Sequence, residues 1–243
     1  MADTRIGIIY PGDGALDREY WDFTPAGVSL HFTRQPLLHD GPVGLPVMAG
    51  LVDDESIESC SESLRVIHPA AVAFACTSAS FIRGLDGEKS ICRRIETAAK
   101  TRATTTSGGI LAGCRALGLG KVAVAAPYVE EVSVKLGEFL EEGGVGVTQV
   151  RHMGLVEGIA EVSVEEIIQV GLDTDTPEAE GLVISCTNLA TLEAVPALES
   201  RLGKPVVSAN QATVWHACVL AGVTWASSFG VGALWSSEHS QAA

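Results

Sequence analysis

Two cysteines stand where an α/β chain can do chemistry. Cys76 closes the apolar run AVAFA at 71–75, and Cys186 follows GLVIS at 181–185. Continuous apolar runs of this kind read as strands buried on both faces, as in a parallel sheet. Small and hydroxyl-bearing residues come next, in Cys76-Thr77-Ser78 and Cys186-Thr187-Asn188, and these suit the start of a helix. Ligands of open α/β sheets bind beyond the carboxyl ends of the strands, so both thiols are predicted to face a ligand. Free N–H groups and the helix dipole at such turns favour a carboxylate. The same field is expected to lower the thiol pKa values.

Two thiols on opposite faces of a bound carboxylate permit two reactions. One thiolate removes an α-proton while the other thiol returns a proton from the far side, which is racemisation. Alternatively a thiolate adds to an activated double bond, the bond rotates and the thiolate leaves, which is cis–trans isomerisation. Negative charge builds on the carboxylate in both, and the hydroxyls of Thr77, Ser78 and Tyr128 with nearby N–H groups would stabilise it. The loop after the first strand, Pro11-Gly12-Asp13-Gly14, adds three candidates. Pro11 and Gly12 shape the turn and are expected to bring N–H groups to the ligand. Asp13 would reject a second carboxylate or accept an ammonium or hydroxyl group. Thr187 and Asn188 complete the expected substrate-binding set.

The elements that must position these residues alternate. Arg5–Tyr10, Ala71–Ala75, Lys121–Ala126, Gly181–Ser185 and Lys204–Ser208 read as strands. Ser56–Ile67, Tyr128–Glu142, Ser163–Val170, Leu189–Leu202 and Gln211–Ala221 read as helices. Such alternation implies right-handed βαβ crossovers and a doubly wound parallel sheet. RIGIIYPG, AVAFACTS and ATTTSGG are matched in order by KVAVAAPY, GLVISCTN and VVSANQAT. The chain is therefore read as α/β, with two pseudo-symmetric doubly wound lobes of four parallel strands each and the active site in the cleft between them. Residues 1–117 form the first lobe and 118–208 the second, with 209–243 packing back on the first. Asp22–Pro46, weak in periodicity, is expected to be an irregular loop or lid. Gly143-Gly144-Val145-Gly146 follows a helix rather than a strand and reads as a turn, not a phosphate loop.

The 243 residues are enough for a core that buries catalytic groups. Thirty acidic against 16 basic residues leave a formal charge of −14, which argues against nucleic acid or anionic membrane as partner. An anionic substrate must then be held by local donors. The six cysteines, at 60, 76, 92, 114, 186 and 218, include no C-x-x-C pair or zinc spacing, so no metal is expected. Cys60, Cys92, Cys114 and Cys218 are expected to be structural thiols, and His152 and His216 surface or core groups. No signal-like segment opens the chain and no apolar run reaches membrane length, so a cytoplasmic protein is expected.

The stretch Cys76-Thr77-Ser78-Ala79-Ser80-Phe81-Ile82-Arg83-Gly84 resembles the corresponding loop of arylmalonate decarboxylases, which carry glycine in place of Cys76. Val183–Ser208, with Cys186 and VPALESRLGKPVVS, and the later Trp215 are similar to the same enzymes. Maleate cis-trans isomerases and aspartate/glutamate racemases share the fold and carry cysteine at both positions. The resemblance runs from Arg5 to about Gly222. It implies Cys76 and Cys186 as the catalytic pair, no cofactor, and Thr77, Ser78, Tyr128 and the backbone after Cys186 as holders of a small carboxylate substrate. It also implies assembly as a homodimer or larger. Retention of Cys76 points toward two-thiol isomerisation or racemisation. Decarboxylation with Cys186 as proton donor is the alternative, and a catalytically silent carboxylate-binding protein is the non-enzymatic one. Maleate isomerases present an asparagine in the loop after the first strand and a second one near the equivalent of Leu155–Gly158; neither is here.

Overall fold

The apolar runs become the central strands of two parallel sheets. The computed structural model describes residues 3–36, 44–226 and 231–236. In chain order these form β1 (Thr4–Pro11), α1 (Asp17–Asp22), β2 (Val28–Gln35), α2 (Leu45–Asp53), α3 (Ser56–Arg65), β3 (Ala71–Phe74), α4 (Thr77–Phe81), α5 (Gly84–Ala99), β4 (Arg102–Thr105) and α6 (Thr106–Ala116). They continue with β5 (Lys121–Ala126), α7 (Glu130–Glu142), β6 (Gly146–His152), α8 (Val164–Thr174), β7 (Gly181–Ile184), α9 (Ala194–Leu202), β8 (Val206–Ser208), α10 (Ala209–Leu220) and α11 (Ala233–Ser236).

One sheet has the order β2-β1-β3-β4 and the other β6-β5-β7-β8, all pairs parallel. The two orders are equivalent, so β1 corresponds to β5 and β3 to β7. Both faces of the central strands are covered: in β1, Ile6, Ile8 and Tyr10 enter one apolar cluster and Ile9 the other. Helix α3 buries Ile57, Cys60, Ser61 and Leu64, one stripe at helical spacing. Gly7 lets that helix approach, since a Cβ there would lie 2.9 Å from a Leu64 methyl. Burial of a side chain such as Leu64 stabilises the packing by about 1.5–3 kcal/mol. Helix α10 packs on α6 and against β3 and β4.

The structure departs from the sequence reading at the sheet edges. β2 runs through Asp22–Pro46, where an irregular loop is expected; residues 37–43 of that stretch lie outside the described residues. β6 has no counterpart in the sequence reading. Both are edge strands with partly exposed residues such as His31, Thr33, Thr148 and Arg151, so they lack the continuous apolar run of a central strand. The helix expected from Leu189 begins only at Ala194. Of the C-terminal stretch 209–243, residues 227–230 and 237–243 also lie outside the described residues.

Candidate active site

Cys76 lies two residues beyond β3 and Cys186 two residues beyond β7, at equivalent carboxyl ends in the two sheets. Both are free thiols and nearly buried, at 6% and 7% exposure. The ring of Phe81, in α4 after Cys76, meets that of Tyr128, just beyond β5, with ring centres 6.2 Å apart.

On the first side, Cys76 is the extended residue that precedes α4, and no side chain caps the helix start. The Cys76 sulfur receives a hydrogen bond from the Ala79 N–H, and the Ser78 hydroxyl lies 4.0 Å away. Ser78 donates to the Met48 sulfur at 2.7 Å, a weak acceptor. The Thr77 carbonyl accepts from Ser80 at 2.8 Å and from Ser107 at 3.0 Å, which fixes the turn from below. The Thr77 hydroxyl is buried and has no partner among the described residues. An unpaired buried hydroxyl is costly, so the Thr77 hydroxyl is a donor without a use among the described residues.

On the second side, Cys186 has φ +99°. A non-glycine residue in that region stores of order 1–3 kcal/mol, and such strain is found where surrounding contacts enforce it. The enforcing contacts are visible. The Thr187 carbonyl accepts from the Tyr10 hydroxyl at 3.0 Å and from Asn210 Nδ2 at 3.2 Å. Thr191 donates through its N–H and hydroxyl to the buried Glu19 carboxylate at 2.7 and 2.8 Å. The Cys186 sulfur receives the Asn188 N–H at 3.4 Å and the Tyr128 hydroxyl. Each sulfur thus receives one backbone N–H; Cys186 also receives the Tyr128 hydroxyl, whereas the Ser78 hydroxyl beside Cys76 donates to Met48.

The loop after β1 is pinned across the cleft. Asn188 Oδ1 accepts from the Ala15 N–H at 3.0 Å and from Tyr10 at 3.2 Å, and its Nδ2 donates to the Asp13 carbonyl at 3.1 Å. Arg34 donates to the carbonyls of Gly14 and Pro11, pairs with Asp17 at 2.6 Å and lies 4.8 Å from the Tyr10 ring centre. Gly14 sits against that ring, where a Cβ would clash at 2.5 Å. Asp13 itself is exposed, yet its charge reaches both thiols.

The electrostatics correct the expectation of acidic thiols. Burial pushes the Cys76 thiol up to about 12 and the Cys186 thiol up to about 11, and the Asp13 carboxylate adds to both. The donors on each sulfur oppose this without cancelling it. The dipole expected at both turns is weak or missing: α4 has only five residues, and no helix starts at Cys186. Desolvation of the thiolate therefore prevails. Burial likewise raises Tyr128 well above its usual range.

Of the residues singled out in the sequence, Cys76, Thr77, Ser78, Tyr128 and Cys186 come together. Asn188 does not present a free side chain; its amide holds the Asp13–Ala15 loop, so its contribution to a ligand is positional. Thr187 contributes its carbonyl to the latch, and its hydroxyl makes no hydrogen bond among the described residues. Pro11 has no N–H to offer and instead accepts from Gly14 N at 3.0 Å, while Gly12 is exposed on the loop. Tyr10, Glu19, Tyr20 and Asn210 were missed. Only Tyr10 had a local signal, a polar aromatic at the carboxyl end of a strand. His216 is held by Thr104 at 2.7 Å. No cluster of metal-ligating side chains is found among the described residues, and none of their helices is long and apolar enough to cross a membrane. The basic groove lined by Arg65, Arg93 and Lys100 opens at the amino ends of β3 and β4, away from the thiols.

The chain is similar to known proteins in sequence and in fold. Residues 50–234 match the family model described as arylmalonate decarboxylase. The arylmalonate decarboxylase of Bordetella bronchiseptica is 33% identical over 224 residues, 89% of this chain and 90% of that protein. The maleate isomerase of Geobacillus stearothermophilus is 25% identical over 229 residues, 87% of this chain and 89% of its own length. Among solved structures, a liganded arylmalonate decarboxylase variant, with one glycine changed to cysteine and one cysteine to serine, superposes with a TM-score of 0.83. It is 30% identical and covers 96% of this chain and 98% of its own.

Proposed function

The chain belongs to the arylmalonate decarboxylase family, and from that premise we propose that it is a cofactor-independent isomerase or racemase acting at the carbon next to a carboxylate through Cys76 and Cys186. The observation that carries this reading is the pair of thiols at equivalent strand ends, each with a backbone N–H directed at its sulfur. The unpartnered Thr77 hydroxyl beside them supplies a donor for the carboxylate.

In racemisation the thiolate form of one cysteine takes the α-proton, and the C–H electron pair moves into the carboxylate as an enediolate. The thiol of the other cysteine returns a proton to the opposite face. The two sulfurs exchange protonation states in each turnover. In cis–trans isomerisation a thiolate adds to the alkene carbon, the resulting C–C single bond rotates, and the C–S pair leaves to restore the alkene. Thr77, Ser78 and Tyr128 stabilise the enediolate charge in either case.

Decarboxylation is the second reading, favoured by the higher identity to the decarboxylase and by the protonated state of Cys186. There the C–CO2 bond breaks, its electron pair enters the enediolate, and the Cys186 thiol protonates carbon. Incubation in deuterium oxide with amino acids, 2-hydroxy acids, maleate and arylmalonates separates these readings. Exchange at the α-carbon without loss of carbon dioxide identifies a racemase, fumarate an isomerase, and carbon dioxide release a decarboxylase. Cys186→Ala is expected to lower turnover by at least about 10³ in every version. Cys76→Gly is expected to do the same only for two-thiol chemistry; intact turnover in that variant defeats the primary reading.

A further inference from the structure

Tyr20, on α1, is fully buried. Its ring packs at 5.2 Å from the Tyr10 ring and edge-on to Phe32 at 5.8 Å. Phenylalanine would supply the same packing. Yet the Tyr20 hydroxyl is buried without a hydrogen-bond partner among the described residues, whereas Tyr10, its neighbour, is fully engaged with Leu16, Thr187 and Asn188. Burial keeps the Tyr20 phenol protonated, and the neighbouring Glu19 carboxylate acts in the same direction. The hydroxyl is thus an unused donor on a ring packed against Tyr10, whose own hydroxyl holds the Thr187 carbonyl next to Cys186, and it is distinct from the donors assigned to the carboxylate. Orphaned buried donors of this kind call for an explanation.

We propose that the Tyr20 hydroxyl is a specificity-determining donor that binds a neutral hydroxyl oxygen carried by the substrate on the carbon next to its carboxylate. This rests on the carboxylate-directed reading above and narrows it to 2-hydroxy acids. A second carboxylate fits less well. Asp13 projects negative charge onto both thiols and Glu19 onto Tyr20. Arg34, the cation closest to the loop, is committed to Asp17 and two carbonyls.

Calorimetric titration of the intact protein with mandelate, phenylacetate and phenylmalonate tests this. Mandelate differs from phenylacetate by the 2-hydroxyl, and phenylmalonate adds a carboxylate there instead. Mandelate is expected to bind about fivefold tighter than phenylacetate, the net worth of one hydrogen bond, and phenylmalonate no tighter than mandelate. Tyr20→Phe is expected to erase the mandelate advantage with phenylacetate affinity kept within about twofold. Thr77→Val is expected to weaken all three ligands. Equal binding of mandelate and phenylacetate by the unaltered protein overturns the proposal without any variant. So does phenylmalonate binding tightest, or a mandelate advantage that survives Tyr20→Phe; in each case the carboxylate reading still stands. Failure of all three to bind removes that reading as well.

Discussion

The hydroxyl of Tyr10, at the end of β1, donates at 3.0 Å to the carbonyl of Thr187, which directly follows Cys186 in the other sheet's turn. One sheet thereby holds the backbone of the other sheet's reactive residue. Asn188 answers from the opposite direction by binding the Ala15 N–H and the Asp13 carbonyl. The strained Cys186 conformation is maintained by contacts from the other sheet, so it depends on both halves being docked.

Tyr10→Phe keeps the ring contacts and removes the hydroxyl, leaving the Leu16 N–H without that acceptor. We expect a loss of about 1 kcal/mol in stability and a fall in kcat larger than any rise in KM. Asn188→Ala acts on the same latch, so the double variant should cost less than the sum of the singles. Thermal unfolding and steady-state kinetics on all three proteins check this. Strict additivity would show that the two residues do not form one unit.

The thiols determine the pH profile. Two-thiol chemistry needs one sulfur ionised, and burial holds Cys186 up at about 11 and Cys76 at about 12. We expect kcat/KM to climb about tenfold per pH unit from pH 7 toward pH 10 for such a reaction. A decarboxylation with the Cys186 thiol as acid is expected to be level over that range and to fall near pH 11. The folded chain keeps these protons where the unfolded chain, with thiols near the ordinary 9.0, has released them. Stability is therefore expected to decline above about pH 9, and the profile is read with circular dichroism at each pH.

His216 sets a limit on the acid side. Burial lowers its pKa from 6.5 to about 4, so the folded chain holds it neutral where the unfolded chain takes up a proton. Stability present above pH 6.5 is lost as pH falls toward 4 and changes no further from this group below that, an effect of roughly 3 kcal/mol. Urea denaturation at pH 7, 5.5 and 4 should show the slope, and His216→Asn should flatten it. An unchanged slope in the variant would assign the acid sensitivity elsewhere.

The central strands and both cysteine turns were legible in the sequence because burial on two faces writes a continuous apolar run, and a strand's end marks where a ligand can reach. The duplicated order of runs likewise showed two similar sheets. Edge strands β2 and β6 were not legible, since one side of each is half-exposed and carries no such run. Tyr20 carried no signal in the sequence, since a missing partner for a buried hydroxyl is set by residues remote in the chain.

By itself, then, the sequence singled out the candidates for chemistry by residue type and place at strand ends: Cys76, Cys186 and the hydroxyls of Thr77, Ser78 and Tyr128. Tertiary structure alone decided their state. Thiol acidity depends on desolvation by neighbours remote in the chain, and it went upward where the local turn suggested downward. The positive φ of Cys186, the latch from Tyr10 and Asn188, and the unpaired hydroxyl of Tyr20 all arise from contacts between segments up to 178 positions apart. Periodicity reports only how one segment faces its surroundings, and so it carries none of them.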